Sequence, residues 1–351
     1  MSTVRRLATD DIVEAMIRVE VAWMRALAQG GAATADQMSC SSGEASATLL
    51  AAQGGLGSSG RDADPASYLG LTGAHLDEVL ARSAARKASM AEPALAATRL
   101  AGTAAERVLL VVGPSLGTAV GTLWGPCAAQ LAGFEVVGWD LPGHGLSRPA
   151  AEGFTVQDLA ASVRALANAA ADGRPVYYAG VSLGGAVAFE LGLAPGPFRA
   201  VAAVAAASRI GEASSWTERA ELVRRAGTQV MVAGSSQRWF APGFLERGGD
   251  TAGRLLQTLS DTDDESYSLA CEALAEFDRR PDLDRVTVPF LLGPGEHDGV
   301  VPPARAQQDA DAIAGSRLQV FAGCGHLPPA ESPSAVAQAL TALFAHDKET
   351  Q

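Results

Sequence analysis

The chain has 351 residues, of which 48% are hydrophobic and 19% charged, and its formal net charge is -12. That length and apolar content support one large core with additions. The acidic balance and a sequence pI near 4.9 argue against nucleic acid or an anionic membrane as a partner, since both select basic surfaces.

The N-terminus has no apolar stretch of signal-peptide type. No run approaches the roughly 18 apolar residues of a membrane span. Neither leader nor span is expected, and the cytoplasm is the expected compartment. Asp10-Asp11 can cap a first helix whose apolar residues Ile12, Ala15, Met16, Val19, Ala22, Trp23, Ala26 and Leu27 share one face. A Ser/Gly/Ala-rich stretch from about Ser39 to Gly60 reads as a linker, and a second helix follows around Ala74 to Ala88. Residues 1–95 are therefore read as a helical extension that packs on the following domain or mediates assembly, including a homo-oligomer.

Ala96 to Gly102 is the first candidate strand of that domain. Val108-Leu109-Leu110-Val111-Val112 reads as an early parallel strand, ending in Gly113-Pro114-Ser115-Leu116-Gly117-Thr118. In Pro142-Gly143-His144-Gly145 the histidine is expected to have a polar loop role. Val176-Tyr177-Tyr178-Ala179 is a strand leading into Gly180-Val181-Ser182-Leu183-Gly184-Gly185, and the run to Leu193 is helix-like. Strand, glycine-flanked serine and helix together form a nucleophile elbow. The glycines let the backbone turn sharply and lift the hydroxyl clear of the sheet. Serine, not aspartate, at the tip disfavours dehalogenase or epoxide hydrolase chemistry.

Residues 211–280 are expected to form a helical lid between two halves of a core, 96–210 and 281–347. The lid holds Arg219, Arg224, Arg225, Arg238, Arg247 and Arg254. Arg238 is the preferred pocket residue because it adjoins Trp239 and Phe240, and Trp239 is expected to line the pocket and contact substrate with it. Val288-Pro289-Phe290-Leu291-Leu292 reads as a buried strand, and the loop after it offers Glu296 and Asp298. Asp298 is preferred as the orienting acid because a short side chain on a tight loop is easier to hold in one rotamer. Leu318-Gln319-Val320-Phe321 reads as the last strand, with Gly325-His326 beyond it.

The chain has only five histidines. His75 lies in the N-terminal region, His346 falls in the expected terminal helix, and His297 precedes the proposed acid, which breaks the chain order. His326 remains as the base, in the order Ser182…Asp298…His326 of α/β-hydrolases. The main-chain N–H groups of Leu116 and Leu183 are expected to form the oxyanion hole. Cys40, Cys127, Cys271 and Cys324 lack metal or redox spacing, and neither metal nor cofactor is expected.

Over roughly residues 96 to 347, the chain resembles the 3-oxoadipate enol-lactonases. The resemblance rests on Pro114 to Thr118, Trp124, Asp140 to Ser147, Gly180 to Gly185, Arg238-Trp239-Phe240, Glu296-His297-Asp298 and Gly325-His326-Leu327. It implies an α/β-hydrolase fold: a mostly parallel sheet with helices on both faces and a helical lid. It also implies hydrolysis of a small anionic enol-lactone in aromatic-compound degradation, with Trp124 among the substrate contacts. The start of the chain and Asp64-Pro65-Ala66-Ser67-Tyr68-Leu69-Gly70 are similar to the two ends of 3-carboxy-cis,cis-muconate cycloisomerases, without the helical body between them. A carboxylesterase, a C–C bond hydrolase or a perhydrolase would use the same triad. A ligand-binding protein that kept the pocket is the non-enzymatic alternative.

Overall fold

The structure is a computed structural model that describes residues 93–347. The readings made for residues 1–92, including both helices, the linker and the cycloisomerase likeness, lie outside the described residues.

Seven strands among the described residues form one sheet in the order β1-β3-β2-β4-β5-β6-β7. They are β1 (Ala97–Ala101), β2 (Val108–Gly113), β3 (Phe134–Trp139), β4 (Val176–Val181), β5 (Phe198–Val204), β6 (Phe290–Gly293) and β7 (Arg317–Leu318). Only β1 runs antiparallel, pairing Ala97 with Trp139. Every other neighbour is parallel. All residues of β2 and β4 are buried, which explains why both read as unbroken apolar runs rather than alternating ones. The last strand is shorter than the expected 318–321: past Leu318 only Phe321 pairs again, bridging to Gly295.

The helices before β5 are α1 (Val120–Ala128), α2 (Val156–Ala171) and α3 (Leu183–Leu193). A capping box starts α2: Thr155 accepts from the Asp158 N–H, and the Asp158 carboxylate accepts from the Thr155 N–H. Between β5 and β6 lie α4 (Ala213–Ala226), α5 (Val232–Trp239), α6 (Phe244–Arg247), α7 (Gly249–Asp261) and α8 (Asp264–Glu276). After β6 come α9 (Pro303–Ala312), α10 (Pro328–Glu331) and α11 (Pro333–Asp347). One helix group, α2 with α3, packs on the sheet, and another, α1 with α10 and α11, packs on it separately. No helix among the described residues is long and apolar enough to cross a membrane.

This topology determines where chemistry can occur. Loops leaving parallel strands emerge at one edge of the sheet, their carboxyl edge. The loops after β2, β4, β6 and β7 carry Leu116, Ser182, Asp298 and His326 respectively, so residues up to 210 positions apart reach that edge.

Candidate active site

Ser182 caps the N-terminus of α3 with φ 54 and ψ -111, a left-handed conformation that a side chain rarely adopts. The backbone is held there from both sides. The Ser182 N–H donates to the Val204 carbonyl and the Gly184 N–H to the Pro114 carbonyl, both at 2.9 Å. Gly180 and Gly184 are required by space. A Cβ on Gly180 would strike the Gly184 carbonyl, and one on Gly184 would sit 2.6 Å from the Pro114 carbonyl oxygen. The Tyr178 hydroxyl donates to the Gly184 carbonyl at 2.9 Å and braces the same turn.

The Pro114 contact draws the loop after β2 against the elbow. Within that loop the Thr118 hydroxyl donates to the Ser115 carbonyl at 2.9 Å, and the Ser115 N–H donates to the same hydroxyl at 3.1 Å. Among the described residues, neither the Leu116 N–H nor the Leu183 N–H donates to a protein acceptor. Both remain available to an oxyanion. Trp124 is fully buried, and its indole N–H donates to the Gly113 carbonyl at 2.8 Å. Its polar end is thus bonded to the last residue of β2.

Asp298 and His326 are in contact. The His326 Nδ1 lies 2.9 Å from Asp298 Oδ2 and 3.0 Å from Oδ1. Asp298 Oδ1 also accepts from the N–H groups of Val300 and Val301 at 2.8 and 3.0 Å. Those bonds hold the carboxylate in one rotamer. The two loops are stitched together by main-chain bonds from Phe321 to Pro294, Glu296 to Phe321 and His297 to Cys324. Glu296, the competing acid, faces solvent and accepts from the Gly323 N–H at 2.8 Å. His297 is likewise half exposed.

His144 departs from the expected polar loop role. It is 1% exposed and stacks on Tyr267 of α8 with ring centroids 6.2 Å apart. Its Nδ1 lies 2.8 Å from the Pro142 carbonyl, and its Nε2 is buried without a hydrogen-bond partner. Because a carbonyl can only accept, Nδ1 carries the proton of the neutral ring. Burial pushes the imidazole pKa down to about 4, against the pull of the Pro142 carbonyl and Asp263.

The arginines of the 213–276 helices divide by environment. Arg224 pairs with Glu265 and Glu272, joining α4 to α8, and Arg225 lies near Glu221. Arg219 lies over the Trp216 ring and Arg247 over Phe244. Arg254 reaches Thr251 at the surface. Arg238 alone of the six is buried, at 6% exposure, one residue before the buried Trp239.

The sequence reading passed over Glu331. Its carboxylate accepts from the main-chain N–H groups of Gly325 and Ala241 at 2.8 Å each, and from Leu327 at 3.3 Å. Burial raises its pKa, opposed by these same N–H groups. The available signal was a lone acid in an otherwise apolar, proline-bounded run, Leu327-Pro328-Pro329-Ala330-Glu331-Ser332-Pro333.

Residues 108–339 match the alpha/beta hydrolase family, and the chain belongs to that family. Within it, the chain is 33% identical over 245 residues to 3-oxoadipate enol-lactonase 2 of Acinetobacter baylyi, covering 68% of this chain and 90% of that protein. The crystal structure of the enol-lactonase from Burkholderia xenovorans LB400 is similar at 28% identity with a TM-score of 0.67, covering 72% of this chain and 96% of that one. A pimeloyl-(acyl-carrier protein) methyl ester esterase of Photobacterium profundum is 29% identical, over 63% of this chain and 88% of that protein.

Proposed function

We propose that the chain hydrolyses 3-oxoadipate enol-lactone to 3-oxoadipate, a step of the β-ketoadipate pathway, through an acyl-enzyme on Ser182. The observation that carries the chemistry is the Asp298 carboxylate on His326 Nδ1 at 2.9 Å. It keeps the proton on Nδ1 and leaves the Nε2 lone pair to act as base. The likeness to enol-lactonases supports the choice of substrate.

His326 Nε2 takes the Ser182 Oγ proton as Oγ attacks the lactone carbonyl carbon. The oxyanion is received by the Leu116 and Leu183 N–H groups. Collapse breaks the ring C–O bond, and the imidazolium protonates the departing enol oxygen. Because that oxygen belongs to the same ring, the enol remains tethered in the acyl-enzyme and ketonises. Water gives a proton to Nε2 and attacks the acyl carbon, and Ser182 leaves with that proton. Arg238 offsets the acidic field of the chain by pairing with the substrate carboxylate. The 211–280 segment acts as the lid over this site.

The test is loss of ultraviolet absorbance of enzymatically generated enol-lactone, with wild type beside Ser182→Ala. Turnover that disappears in the variant supports both substrate and nucleophile. Absence of turnover, with methyl esters still cleaved by wild type alone, would favour a carboxylesterase. That second reading is supported by the likeness to the methyl ester esterase.

A further inference from the structure

Three consecutive main-chain N–H groups centred on the catalytic histidine end on acceptors that lie close together. Gly325 and Leu327 donate to Glu331 Oε1, and His326 donates to the Trp239 carbonyl at 2.9 Å. The other oxygen of Glu331 accepts from Ala241, two residues beyond the end of α5. The two backbones are in direct contact. A Cβ on Gly325 would sit 2.7 Å from the Ala241 nitrogen and 2.8 Å from the Trp239 carbonyl oxygen.

We propose that Glu331 is a positioning residue that clamps the His326 loop to the Trp239–Ala241 segment, so that the base and the Arg238-bearing helix move as one unit. The proposal rests on the reading of His326 as the general base. Its chemistry is specific to a carboxylate. Two oxygens with separate lone pairs serve donors from two different segments at once. A glutamine offers one acceptor oxygen and one NH2, so one segment would meet a donor instead. An aspartate keeps the charge but shortens the reach.

The experiment compares Glu331→Gln and Glu331→Asp with wild type, Ser182→Ala and His326→Ala. Turnover of 4-nitrophenyl acetate, phosphonylation of Ser182 by a fluorophosphonate and thermal melting are measured on each. In at least one folded Glu331 variant, kcat is expected to fall about 10–100-fold, the scale of a misplaced catalytic group. KM should stay within about threefold, and phosphonylation should slow in step with kcat because it needs the same base. A purely structural residue would lower melting temperature without changing turnover per folded molecule. Wild-type kcat and phosphonylation in folded Glu331 variants, with His326→Ala inactive, would overturn the clamp alone. Full activity in His326→Ala would overturn the base assignment and the clamp with it.

Discussion

The main-chain N–H of His326 donates to the carbonyl of Trp239 at 2.9 Å, and the indole of that tryptophan borders Gly117. One residue of α5 thus touches both the loop that carries His326 and the loop that carries Leu116. Gly117 has φ +79, and a Cβ there would meet Leu259 Cδ1 at 2.6 Å and the Trp239 ring at 3.5 Å. Gly117→Ala is therefore expected to displace the Leu116 N–H. Turnover of 4-nitrophenyl acetate should fall by about 10–100-fold, below the 10²–10³ of a deleted oxyanion donor. Equal kcat in the two proteins would remove Leu116 from the oxyanion hole.

Asp298→Asn keeps an oxygen for the Val300 and Val301 N–H groups but lets the ring of His326 take the wrong tautomer. The expected result is a kcat loss of about 10⁴ with little change in melting temperature. A loss below tenfold would show that Asp298 does not orient the base.

Ser182 pays in backbone strain for its place at the elbow. Left-handed strain at a non-glycine residue costs about 1–3 kcal/mol, while glycine adds about 0.5–1 kcal/mol of unfolded-state entropy. Ser182→Gly should therefore be inactive yet more stable by about 1 kcal/mol, which raises Tm by about 2–4 °C. A lower Tm in this variant would contradict strain at the elbow.

His144 predicts an acid-labile step. Its folded pKa of about 4 lies below the ordinary 6.5. Between those values the unfolded chain holds a proton that the folded chain does not. Stability from this group is therefore complete above pH 6.5 and is lost as pH falls toward 4, by about 3 kcal/mol. Asp140 and Glu331, raised by burial, contribute in the opposite sense. They are common to wild type and His144→Asn, so they cancel when the two are compared. Urea unfolding at pH 7 and pH 5 should show a steeper decline for wild type. Parallel declines would mean that the folded ring takes up its proton as readily as the unfolded one.

Arg238 can be tested through selectivity. Arg238→Gln should raise KM for the carboxylate-bearing lactone about 10–100-fold, the scale of a hydrogen bond to a charged group. KM for neutral 4-nitrophenyl acetate should be nearly unchanged. Equal effects on both substrates would place the arginine in support of the fold rather than in recognition.

Much of this site was legible because its residues sit where strands stop. The glycines around Ser182, the short acid on the loop after β6 and the histidine between Gly325 and Leu327 are all local patterns tied to strand ends. The preference for Asp298 over Glu296 followed from side-chain length, and the structure finds Glu296 exposed and bonded to Gly323. Other features depend on partners distant in sequence. His144 is buried by Tyr267, and Trp124 finds its acceptor at Gly113. Ala241 is bound by Glu331, 90 positions away. No local pattern specifies such pairings. The last strand was read too long because Val320 and Phe321 have strand propensity, yet the chain turns aside to pair Phe321 with Gly295.

The loops around Ser182 are held largely through main-chain donors. Asp140 grips the N–H groups of Val120 and Leu146, Asp298 those of Val300 and Val301, and Glu331 those of Ala241, Gly325 and Leu327. An amide donor is the same whatever side chain accompanies it, except in proline, which has none. Side chains at the exposed Leu146 and the half-buried Val300 can therefore be exchanged while these main-chain bonds stay in place. A proline at any of these donor positions would break its bond. In a randomised library, the exposed Leu146 and the half-buried Val300 should accept many residues and reject proline, whereas the buried Val120 and Ala241 are restricted by packing as well.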